Sequence, residues 1–337
     1  MKHLISCALL AFSHAALAED STVFYLRAQT ESLETASNRA NHGFGMGELR
    51  WQTDLLRGVV TARHDTRDGD VLRVNELSLE RPLAGGFATA GKKVMSWDVG
   101  YAFRPLDVVQ QEDRRALNPV TLEGVPMLAW EAFDESRAVT IVWTNPGHGK
   151  REQPKGDGAL AVRLYRQQGS TDQYAVLRVS ARNGVEGGVS FSHVASDALE
   201  WHGSVLLQQR HDEWIVSRTA PPRWQRVDGG GKALAGLTWT TESKFSVLGE
   251  AWVDRTAARG RQRNVLLRAS QTEGDLEVAA DVLWQPGQGA YRGSRVASVG
   301  TTWKASPWLL SASLRHFSGA ASHVARNVAV ATLQYAF

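Results

Sequence analysis

Residues 235–254 read AGLTWTTESKFSVLGEAWVD, and their alternation decides the fold. Ala235, Leu237 and Trp239, with Ala233 just upstream, fall on every second position. Thr241-Glu242-Ser243 interrupts the run. Phe245, Val247, Gly249, Ala251 and Val253 then share one face, opposite Ser246, Glu250 and Asp254. A period of two marks a strand, and a short polar break between two such runs marks an antiparallel hairpin. The next stretch, 264–284, repeats the pattern. Val265, Leu267 and Ala269 oppose Arg268 and Ser270, a turn falls at Glu273-Gly274-Asp275, and Leu276, Val278, Ala280, Val282 and Trp284 oppose Glu277 and Asp281.

Similar runs fill the chain, near 22–30, 44–54, 56–65, 70–79, 87–97, 125–133, 138–145, 158–168, 173–182, 185–194, 199–209 and 212–218. Others lie near 232–241, 244–254, 263–272, 275–285, 294–304, 307–317 and 326–337. Segment 212–218 is the weakest and is expected to be loop or to merge with its neighbour, which leaves 16 or 18 strands. No long 3.6-residue period and no N-cap leading into one is present, so helices are not expected.

Residues 1–18 stand apart. Lys2 and His3 precede the apolar LISCALLAF, and Ala16-Leu17-Ala18 offers a small-x-small cut before Glu19, so a cleaved secretory signal peptide is expected there. Leu4-Ile5-Ser6-Cys7 has lipoprotein-box residue types, but no apolar core precedes the cysteine. Cys7 is the only cysteine, so the exported chain, 19–337, holds no disulfide and needs a core or a membrane for stability. No later stretch is apolar for long enough to span a bilayer as a helix. Net charge is +3, and the arginines are scattered rather than clustered, which argues against nucleic acid.

Many alternating strands suit either a soluble β protein with an apolar core or a transmembrane barrel with the faces reversed. The polar faces carry mid-strand charges of both signs: Arg163, Arg178, Arg268, Arg315, Glu250, Asp254, Glu277 and Asp281. Such charges fit a wet lumen. Aromatics gather towards strand ends, at Trp51, Trp143, Trp201, Trp239, Trp284, Trp308 and Tyr335, as in membrane-interface girdles. The expected fold is all-β, a transmembrane antiparallel up-and-down barrel of 16–18 strands forming a single domain.

The signal peptide, the ten-residue alternating strands and the final Leu333-x-Tyr335-x-Phe337 together resemble Gram-negative outer-membrane β-barrels. That resemblance implies an outer-membrane location among lipid and lipopolysaccharide, and a last strand read by the barrel-assembly machinery through Leu333, Tyr335 and Phe337. It also implies that the last strand pairs with the first near Val23–Ala28.

Between Trp97 and Pro126 the rhythm fails. WDVGYAFRPLDVVQQEDRRALNPVTLEGVP holds Pro105, Pro119 and Pro126, with enough aromatic and apolar residues to argue against disorder. A stretch this long without regular structure is usually functional. The stretch GKKVMSWDVGYAFRPLDV followed by EGVPMLAWEAF resembles porin-like and alginate-export-like barrels. In general porins the loop after the fifth strand folds into the lumen, so residues 98–124 are expected to form a constriction, or alternatively an external cap. The constriction would use Arg104, Asp107, Glu112, Asp113, Arg114, Arg115 and Glu123. The pore wall would carry Arg163, Arg178, Glu250, Arg268, Asp281 and Arg315, and the acids Asp107, Glu112, Asp113 and Glu123 would face its arginines, chiefly Arg163 and Arg178.

Catalytic sets fare poorly. His64-Asp65 and His211-Asp212 lack the opposed acidic pair of an omptin-like protease, and Ser192 and His193, as strand neighbours, face opposite sides. No histidine pair has metal-ligand spacing with a carboxylate on one face, so no metal and no cofactor is expected. The expected function is a porin-like channel, not an enzyme, for passive passage of a small hydrophilic solute. The alternatives are a barrel enzyme or a non-conducting component of an export system. A homo-oligomer is left open, because trimeric porins and monomeric channels share this pattern.

Overall fold

The computed structural model describes residues 21–110, 112, 115, 121–145, 158–215, 223–258, 261–287 and 292–337. The proposed signal peptide, together with Asp113 and Arg114, lies outside the described residues.

Eighteen antiparallel strands form one closed sheet. They are β1 Ser21–Glu34, β2 Arg39–Gln52, β3 Leu56–Asp65, β4 Gly69–Leu83, β5 Gly86–Lys93, β6 Val125–Phe133, β7 Arg137–Thr144, β8 Ala159–Gln168 and β9 Thr171–Ser180. There follow β10 Gly184–Ser196, β11 Leu199–Ile215, β12 Arg223–Thr240, β13 Phe245–Asp254, β14 Arg263–Glu273, β15 Leu276–Gln285, β16 Ser294–Ala305, β17 Trp308–Gly319 and β18 Asn327–Ala336. Each strand pairs with the next, and β18 pairs with β1 from Asn327↔Glu34 to Ala336↔Tyr25. The Phe337 N–H extends this seam by donating to the Phe24 carbonyl at 2.9 Å. The expected closure is therefore present, and no strand edge is left unpaired.

The weak run merges over residues 212–215 into β11, one of the two expected outcomes, and β11 pairs with β12 as far as Ile215↔Arg223. Among the boundaries that differ, β12 begins at Arg223 rather than 232. Strand β5 stops at Lys93 rather than 97, because the Val94 N–H turns to the Glu76 carboxylate at 3.2 Å instead of a neighbouring strand.

At one rim every connection is two to four residues, such as 84–85, 169–170, 197–198, 274–275 and 306–307, whereas the opposite rim carries all the long links, including 94–124, 255–262, 286–293 and 320–326. Short turns face the periplasm in outer-membrane barrels, so the longer links are external. The faces separate as alternation demands. Leu128, Leu177, Val189, Leu207, Leu267 and Val299 point outward and are exposed, as are Trp143, Trp201, Trp239, Trp284 and Trp308 near the rims. The buried side chains lie inside, in two apolar clusters on β6–β11 and on β13–β16, and the segment after β5 packs against both.

Candidate functional site: the lumen and the segment that crosses it

Residues 94–110, together with Glu112, Arg115 and residues 121–124, lie within the barrel, and a buried carboxylate fixes the first turn. Asp107 accepts the Trp97 N–H at 2.6 Å, the Asp98 N–H at 2.9 Å, the Ser96 hydroxyl at 2.9 Å and an ion pair from Arg104 at 3.0 Å. Burial raises the Asp107 pKa, while Arg104 and the N–H donors hold it down. Asp98 completes the turn by accepting the Leu106 N–H at 2.7 Å, and it takes the Ser204 hydroxyl of β11 at 2.5 Å. The sequence folds this way because an acid at each end of 98–107 satisfies backbone donors that have left the sheet.

The turn rests on the wall through Trp97 and Leu106, which pack on Met127, Val142, Ala161, Val176 and Leu206. Farther along, Glu250 of β13 receives two backbone donors, Tyr101 N–H on one oxygen at 2.6 Å and Ala102 N–H on the other at 2.8 Å. His202 of β11 lies 3.1 Å from the same carboxylate. Between them β12 presents Gly236, where a Cβ would overlap the His202 ring and come within 2.9 Å of Glu250 Cγ. Phe103 stacks on Trp252 at 5.6 Å, and Arg268 sits over the Tyr101 ring at 5.4 Å.

The segment then reaches the far wall. Arg115 donates to Asp281 of β15 at 2.7 Å, and Arg315 of β17 donates to the Arg115 carbonyl. It returns past β2 and β4, where the Thr121 hydroxyl meets Glu48, the Gly124 N–H donates to the Asn75 carbonyl at 2.8 Å, and Glu123 pairs with Lys92 at 2.6 Å and Arg73 at 3.6 Å. Gly124 passes so close to Lys93 that a Cβ would sit 2.6 Å from its carbonyl carbon.

Four of the wall residues expected from sequence meet this segment: Glu250, Arg268, Asp281 and Arg315. Arg163 and Arg178 line the lumen but are occupied elsewhere, Arg163 over Tyr174 at 4.9 Å and Arg178 with Glu186. Among the described residues, no loop acid pairs with those two arginines, and Asp113 lies outside them. Asp107 and Glu112 both pair with Arg104, Glu112 at 3.3 Å, and Glu123 pairs with β4–β5 cations. Acids so close in sequence to a buried arginine find it first.

Sequence reasoning missed Asp98, Ser204, His202 and Glu48 as anchors, and the arginines of β2–β4. Arg50 pairs with Glu48 at 2.5 Å, Arg57 with Glu76 at 3.5 Å, and Arg63 with Asp65. The i,i+2 spacing of Glu48/Arg50 and Arg63/Asp65, which puts both partners on one strand face, was the available signal.

The histidine sets do not assemble a catalytic centre among the described residues. Ser192 donates inward to Glu200 at 2.7 Å, while His193 meets Thr171 at 2.8 Å on the outer side. His64 pairs with Asp70 at 2.5 Å rather than Asp65, and His211 bonds the Gly229 carbonyl.

No protein-family model and no curated protein matches the sequence. Solved structures do match. OccK8 (OprE) of Pseudomonas aeruginosa aligns with a TM-score of 0.69 over 96% of this chain and 99% of that one, at 6% identity. A BenF-like porin of Pseudomonas fluorescens Pf-5 gives a TM-score of 0.69 at 7% identity, covering 96% of this chain and 100% of that one. OccK2 (OpdF) of Pseudomonas aeruginosa, solved in complex with glucuronate, gives 0.66 at 7% identity, covering 96% and 99%. The fold this chain shares with them is that of outer-membrane porins.

Proposed function

We propose that the protein is a passive outer-membrane channel for small hydrophilic solutes, with no turnover, and that its pore favours anions. The observation that carries the preference is an asymmetry within the lumenal ion pairs of β2–β4. Side-chain exposure is 51% for Arg50 against 4% for Glu48, 47% for Arg57 against 9% for Glu76, and 32% for Arg63 against 2% for Asp65. Each pair is neutral, yet a passing solute meets the guanidinium and not the carboxylate. Glu80 and Glu123 are more exposed, and lysines hold both.

The three arginines follow the pore axis. Gln52 is opposite Arg57, Arg50 opposite Val59 and Met46 opposite Arg63, so the cations step along β2–β3 on both sides of the Thr121–Glu48 contact. Two unit charges 4 Å apart interact by about 1 kcal/mol in bulk water and about 4 kcal/mol at an effective dielectric of about 20. A narrow lumen lies between these limits, enough for roughly tenfold discrimination. The glucuronate bound by OccK2, a sugar acid, is a solute of the kind this wall suits.

Single-channel recording in planar bilayers under a KCl gradient tests the reading. The wild type should show discrete openings and a reversal potential on the anion-selective side, and R50E/R57E/R63E should shift it towards cations. A folded protein that never conducts would remove the proposal of a channel; an unshifted reversal potential would remove only the anion preference.

A further inference from the structure

The outer face of the barrel is apolar along β13–β16 until its external rim, where it turns cationic. Outward positions run from Leu267, Val265 and Val253 up to Arg255, Arg263 and Arg295, all exposed. Register sets these residues side by side: Val253 faces Arg263, Val265 faces Trp284, and Trp284 faces Arg295. Arg255 follows on the outer face of β13, its N–H donating to the Gly231 carbonyl at 2.9 Å. With strands about 5 Å apart, the three guanidinium groups span roughly 15 Å of rim.

None of the three has an acidic partner among the described residues. Other outward cations near this rim do: Arg39 lies 3.9 Å from Glu34, and His64 pairs with Asp70. At the opposite end of the same sector the outward residues include Glu273, Leu276 and Trp303, with no arginine among the described residues. Within β13–β16 the unpaired outward cations thus sit at the external end, while elsewhere Arg81, Arg137 and Arg166 are exposed at outward positions near the opposite rim.

Beside Arg255 a groove of about 640 Å³ opens on the outer surface. Val205, Leu207, Ala233 and Val253 make it apolar, and it exists because Gly229 and Gly231 carry no side chains. Asp228 and Lys232 border it from lumen-facing register positions, opposite Arg210 and Leu206.

Unpaired guanidinium groups bind phosphate oxygens bidentately and tolerate a partly dehydrated boundary. An apolar slot beside them suits an acyl chain. The outer-leaflet lipid that carries both features is lipopolysaccharide. We propose that Arg255, Arg263 and Arg295 hold the phosphates of one lipid A headgroup, with an acyl chain in the groove walled by Leu207 and Val253. This site rests on the barrel's orientation in the membrane, not on whether the pore conducts.

The test uses the full-length protein refolded from inclusion bodies in lipopolysaccharide-free detergent, with native mass spectrometry reading lipid binding. Bisphosphorylated lipid A should bind the wild type at least tenfold more tightly than R255A/R263A/R295A. Dephosphorylated lipid A should bind the wild type no better than bisphosphorylated lipid A binds that variant. Gly231→Leu, whose Cβ would meet Leu207 at an ordinary 3.6 Å and whose side chain would project into the groove, should weaken binding with the arginines intact. Binding by the triple variant within twofold of wild type, or equal competition by phosphatidylglycerol, would overturn the proposal. Heat-modifiable gel migration reports folding; should the triple variant not fold, R263E and R295E each replace it, and unchanged binding in both would be equally decisive.

Discussion

The inner wall has two halves that the chain treats differently. Along β6–β11, Met127, Val142, Ala161, Val176 and Leu206 are buried beneath Trp97 and Leu106, so the lumen there has become a packed core. Along β2–β4 the wall keeps its water: Arg50, Arg57 and Arg73 remain about half exposed. One segment produces the difference. Its first part is anchored by apolar burial and by buried carboxylates, Arg115 pairs with buried Asp281, and only its end, at Glu123, is held by exposed charge pairs. A polar lumen is therefore not a uniform property of a barrel interior. Apolar inward positions and the buried charges of Glu250 and Asp281 hold the loop, while the half-exposed arginines of β2–β4 stay open to solute.

The largest disturbance of this contrast should come from the apolar anchor. Trp97 is 4% exposed and Leu106 fully buried. Truncating a buried Trp to Ala costs about 3–5 kcal/mol and a buried Leu about 2–5 kcal/mol. Those costs fall on the loop and not on the barrel, whose strands pair independently of it. W97A/L106A should raise single-channel conductance severalfold with heat-modifiable migration preserved. Unchanged conductance would mean that the segment does not set the narrowest point.

Next in size is the Glu250 clasp. Removing one partner from a buried, hydrogen-bonded charged set costs about 3–5 kcal/mol. Glu250→Ala leaves the Tyr101 and Ala102 N–H groups unpaired, whereas Glu250→Gln keeps one acceptor and presents an NH₂ to the other donor. Hydrogen exchange of the Tyr101 and Ala102 amides should rise strongly in the Ala variant and partly in the Gln variant. Equal exchange in both variants and wild type would place the loop's hold entirely on the apolar side.

How much of this contrast was legible in the sequence depends on its range. Period-two alternation located the strands, because each strand's side preference is written in its own residues. The failure of rhythm after Trp97 marked the loop, and alternation put single-strand charges such as Glu250 and Asp281 on the face opposite the apolar one. The partners were not legible. Glu250 lies 149 positions from Tyr101, and its ligands are backbone N–H groups that no residue type announces. Arg163 and Arg178 looked equivalent to Arg315, yet cross-strand neighbours Tyr174 and Glu186 engage them first. Strand β5 read as continuing to Trp97 because its side chains keep the alternation, while Glu76 and Asp107 capture the backbone.

The smallest effect belongs to the water-exposed end of the segment. Arg73 and Glu123 are 47% and 45% exposed at 3.6 Å, and Lys92 shares the same carboxylate. Exposed pairs contribute about 0–1 kcal/mol, and salt screens them over about 10 Å at 0.1 M. A double-mutant cycle of Arg73→Ala and Glu123→Gln, read as the guanidinium midpoint of the refolded barrel, should therefore give a coupling under about 1 kcal/mol. Conductance is the sharper readout. At 0.1 M KCl the Glu123→Gln variant exposes two cations without their acid and should gain anion preference, and at 1 M that gain should vanish. A gain that survives 1 M KCl would mean the pair is shielded from the pore water, and the two halves of the segment would then be held by the same means.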